Sequence, residues 1–272
     1  MKQPRKHLLC LLLALWLTGV LLAGCAADTA DATADLPVIT VGCDNYPPFT
    51  YVNSDGKPVG IDVELADEAF RRMGYRPEFV TINWAEKNAL LENGAIDCIW
   101  GCFSMNGRED EYIWAGPYMY SHQVVAVMPD SDIQTLADLA GKTVVVQATT
   151  KPESLFLDGN DPRIPEIRAL HSLQKQELIY SHLAKGYADA VAAHEISILQ
   201  YMADYGAEFR ILEEPLEVVG LGVAFSRSDD RGIAQALCAT LEQMRTDGTT
   251  RSILASYLAD PDKYLEADGY AD

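Results

Sequence analysis

The sequence predicts an α/β protein with largely parallel sheets. Short β-branched runs alternate with amphipathic helical patterns, and the alternation restarts after a run at 124–128. The chain is also long enough for one large domain or two of about 100 to 125 residues, each with a real core.

In the first series, strands are expected at 38–42, 78–82 and 95–100, with helices at 61–73 and 84–92. Ala66, Phe70 and Met73 fall at i, i+4 and i+7 beside Leu65 and Ala69, which makes one apolar stripe, and Gly74 follows as a stop. The second series predicts strands at 143–147, 166–170 and 188–192, with helices at 135–139, from Lys151, at 172–185 and at 194–205. A last strand at 218–226 leads into a helix carrying Ile233, Leu237, Leu241 and Met244 on one face. Gly248 separates it from a final helix that ends near Leu258.

Ahead of these elements, Lys2, Arg5 and Lys6 precede an apolar run at 8–22 and then Leu22-Ala-Gly-Cys25. The 15-residue run is short for a membrane span, which needs about 20, and it reads as an export signal. It resembles the lipobox of bacterial lipoproteins, which implies cleavage after residue 24 and a lipid on Cys25. Residues 25–35 are then a small, acidic tether with too little apolar content to fold. Removing the leader takes away three basic residues and moves the net charge from −19 to −22. That balance argues against nucleic acid as a partner.

Cys43, Cys98, Cys102 and Cys238 remain after processing. They allow three pairings; Cys43 with Cys102 or Cys98 is one expectation and buried free thiols are the other. A metal site is not expected: His122, His171, His182 and His194 are scattered, and Cys98 and Cys102 on one strand face would stand about 13 Å apart. Ala140-Gly-Lys-Thr143 lacks the first glycine of a phosphate loop and opens a strand rather than a helix. No nucleophile elbow is present, so no cofactor and no catalytic residue are assigned.

Tyr46-Pro-Pro-Phe49, Gly60-Ile-Asp-Val-Glu-Leu65, the stretch 97–108 and Ala115-Gly-Pro-Tyr118 follow in order. They continue through Leu136-Ala-Asp-Leu-Ala-Gly-Lys-Thr143, Gly186-Tyr-Ala-Asp-Ala190 and Leu221-Gly-Val-Ala-Phe225, with Asp247-Gly-Thr-Thr250 after them. Together they resemble the family 3 solute-binding proteins, the amino-acid receptors of bacterial ABC importers, over about 38–258. The resemblance implies a two-lobe periplasmic-binding-protein-like fold of type II, with lobes joined by two crossing strands near 123–128 and 218–224. Lobe 1 would comprise 36–124 plus 221–272 and lobe 2 the piece 125–220, closing on a ligand between them.

Carried over residue by residue, the resemblance assigns Arg108 to the ligand's α-carboxylate, a role that suits a forked guanidinium. Gly101 and Ser104 would offer a backbone carbonyl and a hydroxyl or N–H, with Cys102 between them in wall or core. Tyr46 and Trp84 would sandwich the ligand's side chain, and Asp44 is a candidate polar contact. Thr150 would act from the start of a helix across the cleft, and Lys151 either reaches the ligand or faces solvent.

Two departures stand out. Ser104-Met-Asn-Gly-Arg108 is one residue shorter than the family's pattern, with Asn106 in the threonine region. The aspartate that holds the ligand's ammonium is replaced by His194, followed by Glu195. Either Glu195 swings in, or the ligand differs from an ordinary α-amino acid.

The implied function is an extracytoplasmic receptor, anchored to the cell membrane through Cys25. It would be monomeric and deliver an amino acid or related small carboxylate to an ABC permease. Alternatives are a dehydratase resembling cyclohexadienyl dehydratases and a ligand-sensing domain.

Overall fold

A computed structural model describes residues 36–267; the leader, the tether and Cys25 lie outside them, as do the last residues. One nine-stranded sheet runs through the described residues in the order β4-β1-β5-β11-β6-β9-β7-β8, with β10 also paired to β6. The strands are β1 (Val38–Cys43), β4 (Arg76–Thr81), β5 (Cys98–Ile99), β6 (Ile113–Val127), β7 (Thr143–Gln147), β8 (Ala169–Leu173), β9 (Ala190–His194), β10 (Arg210–Ile211) and β11 (Glu217–Phe225). A small hairpin pairs β2 (Tyr51–Val52) with β3 (Pro58–Val59).

The long antiparallel pair β6/β11 lies in the middle, and each side of it is parallel: β1 with β4 and β5, and β7 with β8 and β9. Parallel strands are covered on both faces, and β7 and β9 are buried throughout. Each half has its own cores. Val41, Leu65, Phe70, Trp100 and Leu237 pack in the first half; Val145, Ile179, Leu183 and Val191, and on the other face Val144, Leu139 and Ala190, pack in the second.

The helices are α1 (Ile61–Arg72), α2 (Lys87–Glu92), α3 (Lys151–Asp158), α4 (Gln176–Ala184), α5 (Glu195–Tyr205), α6 (Ile233–Thr246) and α7 (Thr249–Ala255). Helix α1 has no side-chain cap; its first N–H groups, on Ile61 and Asp62, donate to the carbonyls of Pro48 and Phe49 at 3.0 and 2.9 Å. Gly60 makes that approach possible. Its φ is +125°, and a Cβ there would stand 2.4 Å from the Phe49 oxygen. The Tyr46–Phe49 turn is thereby locked to the helix.

The alternation of strands and helices is as expected, and its boundaries differ where charge or glycine blurred the pattern. Strand β6 begins at Ile113, ten residues before the expected crossing strand, because Gly116, Pro117, Ser121 and His122 hide it. Strand β8 starts at Ala169 rather than 166: Arg168 N–H bonds the Lys142 carbonyl, and the ladder with Thr143 starts one residue later. Residues 172 and 173 then belong to that strand, so α4 starts only at Gln176. Strand β9 likewise runs two residues further than expected, to His194.

Gly60→Ala is expected to cost about 2 kcal/mol or more, from the left-handed backbone and the clash together. A urea midpoint within error of the parent would refute this packing.

Candidate functional site

The loop after β5 is fastened to the crossing strand β11. Met105 N–H bonds the Gly220 carbonyl at 2.9 Å, Gly222 N–H bonds the Phe103 carbonyl at 3.0 Å, and Ser104 bridges Leu221. Gly222 lies at a register shift in β11, and a side chain there would strike Met105 at 2.6 Å. Asn106 completes the fastening: its Oδ1 accepts from Gly220 N–H at 3.0 Å, and its Nδ2 donates to the Val218 carbonyl at 3.3 Å. The shortened loop thus spends Asn106 on the scaffold, away from the cleft lining. It still turns Arg108 inward, through the Arg108 N–H to Met105 carbonyl bond and a Trp114 indole N–H on the Arg108 carbonyl.

A cleft opens beside this loop, between it and the ends of β1, β7 and β9. Asp44, Tyr46, Trp84, Gly101, Cys102, Ser104, Arg108, Thr150, Lys151 and His194 all line it. Glu195 does not. Its carboxylate is turned to Lys263, 3.1 Å away, so the expectation that it swings toward the ligand is not met in this arrangement.

Arg108 carries the dominant charge. Its guanidinium lies 5.3 Å over the Phe103 ring and donates from Nη1 to the Ser104 carbonyl at 3.2 Å; no carboxylate among the described residues is within ion-pair distance. Burial pushes its pKa down, with Glu111, Tyr112 and Glu217 opposing from further away. Lys151, by contrast, lines the cleft with its ammonium already engaged: it pairs with Glu217 at 3.1 Å and donates to the Asn106 carbonyl.

His194 ends β9 inside the protein, 5% exposed. Its Nε2 lies 2.8 Å from Gln123 Nε2 and its Nδ1 3.0 Å from the Ser121 hydroxyl. Burial pushes its pKa down to about 3, against a smaller lift from the Cys102 carbonyl, so the ring is neutral. Tyr46 stacks on Phe49 at 5.6 Å, and both rings stand 6.0 Å from His194. Trp84 meets the Phe103 edge at 5.3 Å. Asp44 accepts from Gln147 Nε2 and from Asn45 N–H; burial pushes its pKa up, and these two bonds pull it back.

Two buried ionisable side chains, missed in the sequence, hold two left-handed residues, one in the cleft's lining and one beside it. Cys102 has φ +51° and Thr149 φ +58°, a costly region for residues with a Cβ. Asp62 of α1 accepts from Cys102 N–H at 2.7 Å and from the Tyr118 hydroxyl at 2.9 Å. Lys87 of α2 donates to the Thr149 hydroxyl at 2.9 Å and to its carbonyl at 3.3 Å, while lying 5.0 Å over the Trp84 ring. Burial, then the Arg108 charge, lowers its pKa to about 8.

Gln123 and Gln147 also line the cleft and were not singled out in the sequence. Gln147 closes β7, and carboxyl ends of parallel strands are where ligands collect in α/β sheets. Gln123 ends the polar triplet Ser121-His122-Gln123 just before the apolar run 124–128, and only the buried strand shows that it faces the cleft. Cys43, Cys98 and Cys102 are buried free thiols and Cys238 is an exposed one, so the second cysteine expectation is the one realised.

A family model, bacterial extracellular solute-binding proteins, family 3, matches residues 39–260. The chain belongs to that family. It is 31% identical over 231 residues to a putative amino-acid ABC transporter-binding protein, PatH, of Vibrio harveyi, covering 84% of this chain and 90% of that one. It is also 31% identical over 242 residues to the histidine-binding periplasmic protein of Salmonella typhimurium, covering 85% and 92%. Among solved structures, Tv2483 bound to L-arginine superposes with a TM-score of 0.75 at 25% identity, over 82% of this chain and 91% of that one. The fold is that of the two-lobe amino-acid-binding proteins.

Asp62 gives a pH test of the loop's support. Burial raises its pKa to about 7, against the opposing Cys102 and Tyr118 bonds. The folded state therefore holds a proton that the unfolded chain releases near pH 4, and this contribution to stability is lost as pH rises from about 4 to 7. Asp62→Asn removes the titration, so its melting temperature relative to the parent should climb over that interval. A constant difference would overturn the assignment.

Proposed function

We propose that the protein is an extracytoplasmic receptor of an ABC importer that captures an amino acid or related small carboxylate by closing two lobes on it. The observation that carries this reading is Arg108: a half-buried cation with a carbonyl and a ring for company, and no carboxylate within ion-pair distance among the described residues. Desolvating a charge costs several kcal/mol, which a bidentate carboxylate in the cleft would offset. Ser104 and Gly101 would border that carboxylate, Tyr46 and Trp84 would flank the ligand's side chain, and Thr150 would approach from the start of α3. Cys102 would lie in the wall.

Lobe 1 is read as 36–124 plus 221–272 and lobe 2 as 125–220. Asp44 to Gln147, Lys87 to Thr149 and Asn106 to Lys151 then join the lobes across the cleft, as a closed state requires. Its relatives named above are binding proteins, so we read the chain as a receptor and not a dehydratase. A lipid on Cys25 would hold a monomer at the membrane beside its permease. Cys25→Ser should move the protein from the membrane fraction to the soluble one; a variant still bound to membranes would exclude the anchor.

A thermal-shift screen of amino acids and small organic acids tests the receptor itself. A ligand at a hundred times its Kd adds about 2.7 kcal/mol, which raises the melting temperature by on the order of 5–10 °C. Arg108→Ala should lose that shift while keeping the circular dichroism spectrum of the parent. Full ligand affinity in the variant would overturn the carboxylate role.

A further inference from the structure

The receptor reading fixes where a carboxylate sits, and the groups beside Arg108 say what the adjoining carbon carries. Ser104 touches both regions: its carbonyl accepts from Arg108 Nη1 at 3.2 Å, and its hydroxyl lies 3.3 Å from Gln123 Nε2. A carboxylate on Arg108 therefore brings the substituent at its 2-position within reach of Gln123 and His194. We propose that this subsite reads an uncharged polar group, and that the ligand is a 2-hydroxy carboxylate rather than one that needs an ammonium there. This rests on the receptor reading above.

The charges around the cleft support it. Gln123, His194, Ser104 and Ser121 form a network without a formal charge, since burial keeps the imidazole neutral. Every carboxylate nearby is engaged elsewhere: Asp44 with Gln147 and Asn45, Asp62 with Cys102 and Tyr118, Glu195 with Lys263, Glu217 with Lys151. An ammonium beside Gln123 and His194 would meet no carboxylate within their network; Asp44, elsewhere in the lining, is held by the neutral donors Gln147 and Asn45.

Gln123 also has capacity to spare. It is 1% exposed and lines the cleft, yet its Oε1 has no hydrogen-bond partner among the described residues. Reversing the amide would only exchange which end is unused. In both orientations a neutral donor or acceptor awaits one more bond, and a hydroxyl serves either while an ammonium can only donate.

Calorimetric titration with matched pairs tests this: L-leucine against L-2-hydroxy-4-methylpentanoate, L-phenylalanine against L-3-phenyllactate, L-glutamate against L-2-hydroxyglutarate. The hydroxy acid should bind at least within tenfold of the amino acid in a pair that binds. Amino acids more than tenfold tighter in every binding pair would overturn the inference and leave the receptor reading standing. Binding of no member of any pair would overturn both. Gln123→Glu should shift preference at least tenfold toward the amino acid, and an unchanged preference would remove Gln123 from the subsite. If that variant does not fold, the wild-type comparison decides alone.

Discussion

The antiparallel pairing of β6 with β11 is the constraint on which the rest depends. The parallel halves of the sheet join it on either side, through β5 on β11 and β9 on β6, so both halves take their position from it. The loop carrying Ser104 and Arg108 is bonded to β11, and Gln123 and Ser121 project from β6. Much of one wall of the cleft is thus referenced to a single ladder. Side chains held by such a rigid element keep their spacing far better than side chains on free loops.

The chemistry of the cleft follows from how few charges its lining leaves unmatched. Lys151 and Glu217 compensate one another, Asp44 is hydrogen-bonded, and His194 is neutral, which leaves Arg108 as the group that asks for a partner. Lys87 adds a second cation behind Trp84 and Phe103, satisfied by Thr149 and by ring faces instead of a carboxylate. The excess of acidic residues over the whole chain has no counterpart here. Net charge is a property of solvated faces, and the site answers to local burial.

Much of the site was legible because strand ends and turns carry distinctive residues. Tyr46-Pro-Pro-Phe49 and Ser104 to Arg108 announce loops, and ten of the eleven residues singled out for the ligand line the cleft. Asp62 and Lys87 were not legible, since a carboxylate or an ammonium in an amphipathic helix reads as a solvated face until packing shows it buried. Glu195, one of two alternatives raised for the missing aspartate, faces Lys263 because one residue of helical rotation turns a side chain away from the cleft. The early start of β6 was hidden because Gly116 and Pro117 break the apolar alternation that identifies a strand.

The state of the cysteines bears on how the protein meets an oxidant. Cys43, Cys98 and Cys102 are enclosed, and burial drives their pKa up, that of Cys43 to about 12, so they hold little thiolate for an oxidant to attack. No cross-link staples the described residues. Among the described residues, Cys238 is the thiol that an oxidant in solvent can reach, and a cross-link formed there would join two copies of the chain instead of stapling one fold.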